Sequence, residues 1–300
     1  MTTMTVEFGW CPDPLDFAIG DITVATLADL DTKVAGVSEG SGVDSDWIYA
    51  PLYVMGRGVH QRPYASRIFG LPKTHCLSHA AADGPEHIEF LVWALSFFMG
   101  MRLTTTEAGF LDATPIKSHA LIDFVLSPRE YLPALAYAEA FWQANKAHRV
   151  RAHRWIAAVH ALFIAQYPRA LQFERFIYLY GALDALFKLA GDFHHVPKGA
   201  VSHHRRVSWM CGLFNMPLPA WADASSGSSP VGNIRNNTLH ESLYMDAPLG
   251  FALHGVGTNL HLTLEMQAMI CRFLVALIGD PGADYVRTPV TTRQMQGWSP

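Results

Sequence analysis

The stretch "VGNIRNNTLHESLY" (Val231–Tyr244) gathers Arg235, Asn236, Asn237, His240 and Glu241 within seven residues. Arginine presents a planar fork of N–H donors that matches phosphate oxygens. A histidine five positions later supplies a base whose ordinary pKa lies near neutrality. The segment follows the Ser/Gly/Pro-rich linker "PLPAWADASSGSSPVG" and reads as the start of a helix, with Asn233 as its N-cap. Free N–H groups and a positive dipole end at a helix start would add to the attraction for a phosphate. The chemistry suggested is phosphate binding beside a group that can move a proton.

Spacing alone does not establish it. With fifteen histidines and sixteen arginines in 300 residues, chance supplies about two arginines followed by a histidine after four to six intervening residues. The chain holds two such pairs, Arg154…His160 and Arg235…His240. The first lies inside the apolar-faced segment "HRWIAAVHALF", where a histidine is expected to serve packing. Only the second sits at the end of a flexible linker. Five residues along an α-helix turn the direction by about 140°. The two side chains are therefore expected to splay, and to work in a cleft shared by two copies of the helix, as a homodimer.

The elements that must position this pair are helical. After "LSPRE", where Ser127, Pro128 and Glu130 read as a helix start, helices are expected near 128–147, 149–167, 170–190, 200–214, 232–245 and 259–278. "ALQFERFIYLYGALDALFKLAG" is apolar nearly all round and is expected at the centre of a bundle. Residues 1–127 read differently: "DITVATL" and "DWIYAPLYVM" are strand-like, "GVSEGSGVDSD" is turn-like, and a buried helix is expected near Ile88–Met101. The resulting expectation is an α+β fold, with a strand-containing domain over 1–127 and an all-α domain over 128–300.

Composition sets the outer limits. Half the residues are hydrophobic and 16% are charged, which argues against disorder over most of the length. Cys11, Cys76, Cys211 and Cys271 have no paired spacing, as expected for reduced thiols of a cytoplasmic protein. The N-terminus shows no signal-peptide pattern, and no apolar run suggests a membrane span. The net charge of −4 is divided, with 7 Lys/Arg against 15 Asp/Glu in residues 1–127 and 15 against 11 in 128–300. The basic part also holds ten of the histidines, and is the candidate for a polyanion.

Residues 128–280 resemble the HEPN superfamily, helical bundles whose active members cut RNA. The resemblance rests on "RNNTLH", with Asn directly after Arg, on the long helix "ERFIYLYGALDALFKLAG", and on the final apolar helix ending "ICRFLVALIG". An N-terminal region with a helix like "LVWALSFFMGMRL" is similar to larger HEPN proteins of bacterial phage defence, of the ApeA type. The resemblance implies a metal-independent endoribonuclease, a defence or toxin effector, with a composite site in a homodimer. It implies that Arg235 holds and neutralises the scissile phosphate, His240 moves the proton of the ribose 2′-hydroxyl, and Asn236 orients the phosphate or its partners.

Two basic segments could track an RNA backbone. One contains His203, His204, Arg205 and Arg206 in "SHHRRVSW", with Lys198 shortly before it; the other is "KAHRVRAHR" (Lys146–Arg154). Taken singly, each reads first as a solvated helix face; beside the Arg235–His240 motif, "SHHRRVSW" reads equally as a phosphate-tracking surface. "FHHVP" and "SHHRR" raise metal hydrolysis as a rival, but adjacent histidines on a helix diverge and no HExxH pattern joins them. Neither a metal nor a cofactor is expected. The remaining readings of Arg235 and His240 are a polar cap with a surface histidine, and a HEPN-like module that binds RNA or a nucleotide without cutting it.

Overall fold

The computed structural model describes residues 3–40, 42–50, 67–128, 130–249, 261–291 and 296–300. Strands are concentrated in the N-terminal region and helices dominate thereafter, an α+β fold. Residues 51–55 of the expected strand "DWIYAPLYVM" and residues 259–260 of the expected last helix lie outside the described residues. The chain divides into two compact units, Met1–Leu121 with Glu130–Trp142, and Ile122–Arg129 with Gln143–Pro300. Part of the segment expected to open the bundle thus belongs to the first unit.

In the first unit an antiparallel sheet runs in the order Met4–Phe8, His75–His79, Ile22–Thr26, Phe17–Ile19. Phe8, Val24 and Leu77 point to one buried face, as the two-residue period of a strand requires. Helix α1 (Leu30–Ser38) was not foreshadowed by the sequence. It buries only Leu30, so it carries almost no apolar stripe for a pattern to reveal. Helix α2 (Pro85–Met99) starts with proline at its first position and stops at Gly100, which takes the left-handed conformation (φ 58°) that glycine tolerates. It buries eleven of its fifteen residues and packs on the strands Met4–Phe8 and His75–His79. Helix α3 (Leu132–Asn145) begins later than "LSPRE" suggested. Ser127 instead extends a parallel pairing of Phe124–Leu126 with Gln296–Trp298, its N–H donating to the Trp298 carbonyl at 2.9 Å.

In the second unit α4 (Val150–Ile164), α5 (Gln172–Phe193) and α8 (Leu262–Ile278) pack on one another, and α6 (Arg206–Leu213) lies against α5. The long apolar helix is thus in contact with α4, α6 and α8, as its pattern required. The two charges in α8 are both satisfied. Arg272, 1% exposed, donates to Asp123 Oδ2 at 2.6 Å, the Ala268 carbonyl at 2.8 Å, the Thr288 carbonyl at 3.0 Å and Thr288 Oγ1 at 2.9 Å. Glu265 accepts from Trp221 Nε1 at 2.9 Å. Among the described residues no helix is long and apolar enough to cross a membrane.

Candidate active site

Arg235 belongs to a short helix, α7 (Pro230–Asn236), capped by Ser229 rather than Asn233. The Ser229 hydroxyl accepts from the Gly232 N–H at 3.2 Å, and Pro230 fills the first position. Arg235 therefore stands at the C-terminal end of its helix, not at the start. The free N–H groups and positive dipole end expected for a phosphate are one to two turns away, so Arg235 must attract an anion by its own charge.

The chain then widens into a single π turn, Asn237–Glu241, closed by Ser242 in the left-handed conformation (φ 55°). Thr238 Oγ1 donates to the Ile234 carbonyl at 2.7 Å across the junction. The π register bonds residue i to i+5 and brings a residue five positions on back over its starting point. This removes the splay expected of an α-helix. Arg235 Nη1 donates to His240 Nε2 at 3.0 Å and to Asn236 Oδ1 at 2.9 Å, so the three expected catalytic residues meet within one chain. Because His240 Nε2 accepts this bond, its ring is the neutral tautomer protonated at Nδ1. His240 is exposed, Arg235 and Asn236 are half-buried, and Arg235 Nε is buried without an acceptor among the described residues.

A second layer of polar groups lies beside this turn. The 3-10 turn His203–Arg205 packs on α7. His204 Nδ1 accepts the Ser229 N–H at 3.2 Å, and the ring lies so close to Gly232 that a Cβ there would overlap it. His203 Nδ1 shares a 2.9 Å hydrogen bond with the Tyr180 hydroxyl. Arg206 donates to Asp184 Oδ1 at 2.7 Å and lies over the Phe187 ring at 4.8 Å. Desolvation, followed by the Arg206 charge, holds the His203 pKa below its ordinary value, while Arg235 contributes in the same direction. Desolvation, then the Asp184 carboxylate, pushes the Tyr180 hydroxyl well above its usual range. Both groups are neutral near pH 7.

Of the five residues expected to track RNA, Lys198 and Arg205 are exposed. His203, His204 and Arg206 turn towards the protein instead, where they join α5 to the turn that carries Arg235. Reasoning from sequence missed Tyr180 and Asp184. Their four-residue spacing on α5, which puts them on one helix face, was the available signal.

A separate constellation lies in the first unit, where His79, His87 and Glu139 bring potential ligand atoms within 4.8 Å of one another. His79 Nε2 and His87 Nε2 approach Glu139 Oε2 at 3.3 Å and 2.7 Å. Their other nitrogens accept backbone N–H groups, His79 Nδ1 from Ala81 at 3.0 Å and His87 Nδ1 from Asp83 at 3.3 Å. That pattern puts the proton on Nε2 of each neutral ring, where both donate to the carboxylate. A metal-binding histidine keeps the lone pair of one ring nitrogen free for the ion while the other nitrogen donates its N–H outward, and here the one lone pair of each ring is already taken by a backbone N–H. The residues form a closed hydrogen-bond network, with His87 stacked on Trp142 at 4.8 Å, and they fit a metal poorly.

No protein-family profile, no curated protein and no solved structure matches the chain. The HEPN resemblance rests on this chain's own residues.

Proposed function

We propose that the protein is a metal-independent endoribonuclease of HEPN type that cleaves RNA through Arg235 and His240. The observation carrying this reading is the 3.0 Å contact of Arg235 Nη1 with His240 Nε2 at a π turn, a helix irregularity frequent at functional sites. Phosphate oxygens compete for the Arg235 guanidinium, and a phosphodiester that takes it over frees the His240 Nε2 lone pair. His240 then accepts the proton of the ribose 2′-hydroxyl as that oxygen bonds to phosphorus. The bond from phosphorus to the 5′ oxygen breaks, and the departing oxygen takes a proton from water. Arg235 neutralises the charge that develops on the phosphoryl oxygens, and Asn236 keeps the guanidinium oriented. The cellular role that accompanies such an activity in the resembling proteins is defence or toxicity, in the cytoplasm.

Cleavage is expected to persist in EDTA and to leave a 2′,3′-cyclic phosphate. His240→Ala is expected to slow it about a hundredfold or more with RNA binding retained. A deoxyribose at the scissile position should stop it. Cleavage of that deoxy-substituted RNA, or activity lost in EDTA and restored by a divalent ion, refutes the mechanism. RNA binding without any cleavage by the purified protein would leave a binding module instead.

A further inference from the structure

The positive charge of residues 128–300 is concentrated at one end of the α4–α5 pair. Residues 146–154 and 192–198 together carry five Lys or Arg against one Asp, a surplus of four, with four histidines. That equals the whole surplus of residues 128–300, fifteen against eleven. Between these segments is a pocket of about 470 Å³ whose polar lining includes His148, Arg149, Arg151, Asp192 and His195. Arg151 is fixed there, donating to Asn145 Oδ1 at 3.0 Å and to the Asp192 carbonyl at 3.4 Å, with its guanidinium 4.7 Å over the Phe193 ring. Asp192, the acid of the lining, already holds Arg154 in an ion pair. What faces the pocket is thus positively charged, with one arginine pre-oriented, and suits an anion with several acceptor oxygens.

Helix α5 connects this pocket with the candidate active site. Tyr180, bonded to His203, stands twelve residues before Asp192, about 18 Å along the helix axis. Between them, the seam of α5 and α6 carries half-buried Phe187 and Trp209, whose ring centroids are 5.5 Å apart, and exposed His194, 6.3 Å from Trp209, stands just past the end of α5 beside the pocket. Aromatic rings alternating with cations suit single strands, whose bases stack while their phosphates are neutralised. We propose that the pocket is a second phosphate-binding site for single-stranded RNA, with the strand following α5 from Arg235. This rests on the ribonuclease reading for the first phosphate. It does not require that cleavage occur.

At about 3.4 Å per stacked nucleotide, 18 Å corresponds to about five nucleotides. Fluorescence anisotropy with labelled oligouridylates of increasing length, on the full chain carrying His240→Ala, tests the track. Affinity is expected to rise about tenfold or more once the strand spans both sites, because the second contact is then intramolecular. Arg149→Ala with His195→Ala should abolish the step and flatten the salt dependence by about 0.7 per lost phosphate contact. Arg149→Gln, which keeps the side-chain stem, should weaken binding in the same direction if the double variant folds poorly. An affinity that climbs smoothly with length, a step retained in the variants, or an equal step with a blunt RNA duplex overturns the proposal. A length step without cleavage by the wild-type chain would keep the track and discard the nuclease. Cleavage without a step would do the opposite.

Discussion

Gly232→Ala tests whether the coupling between His204 and α7 is as close as described. Gly232 does not adopt a positive φ, so the backbone accepts alanine, and in a helix alanine should stabilise by about 1 kcal/mol. The new Cβ would lie 2.8 Å from His204 Cε1 and 2.9 Å from Cγ, with Nδ1 nearer still. Three ring atoms are too close, so the whole imidazole must move rather than its tip. Such overpacking costs about 1–3 kcal/mol. Moving the ring also removes the acceptor for the N–H of fully buried Ser229, a further loss of about 1–3 kcal/mol. The net expectation is a loss of about 1–5 kcal/mol, the two penalties outweighing the helix gain. Urea unfolding followed by tryptophan fluorescence measures it, together with RNA cleavage, which should fall as α7 shifts. His204→Ala in the same chain should relieve the overlap, so the double variant should be no less stable than His204→Ala alone, a marked non-additivity. A Gly232→Ala protein as stable as wild type, or strictly additive losses, would refute the reasoning.

Two further expectations concern assembly and thiols. Since each chain brings its own Arg235–His240 pair, a proposed homodimer would place two such pairs together, and mixing Arg235→Ala with His240→Ala protein should restore no cleavage in a quantitative RNA assay. Restoration would show that arginine and histidine act across the subunits, as the splayed geometry had implied. Burial pushes the thiols of Cys11 and Cys211 up to about 12 and that of Cys271 well above its ordinary value, so all three stay protonated at pH 8, where only a thiolate alkylates. Mass spectrometry after iodoacetamide at pH 8 should therefore find half-buried Cys76 modified first in native protein, and the others only on unfolding; comparable labelling of Cys211 would contradict the packing around α6.

Much of the architecture was legible because burial repeats with the period of the element. The apolar runs of α2, α4, α5 and α8 announced helices, and α5 announced its place against its neighbours by being apolar on most sides. The charges within α8 were visible in the sequence, but not their partners. Arg272 reaches Asp123, 149 residues away in the chain, and no local pattern encodes that distance. Helix α1, burying one residue, had no stripe to read. Arg235, Asn236 and His240 could be selected by type and spacing alone, since phosphate and proton chemistry depend first on functional groups. Their convergence was decided by the tertiary structure. The π turn is held by Thr238 and closed by Ser242, and α7 is braced by His204. It exchanges the 3.6-residue turn for a wider one, and so brings an arginine and a histidine that an ordinary helix would separate to 3.0 Å.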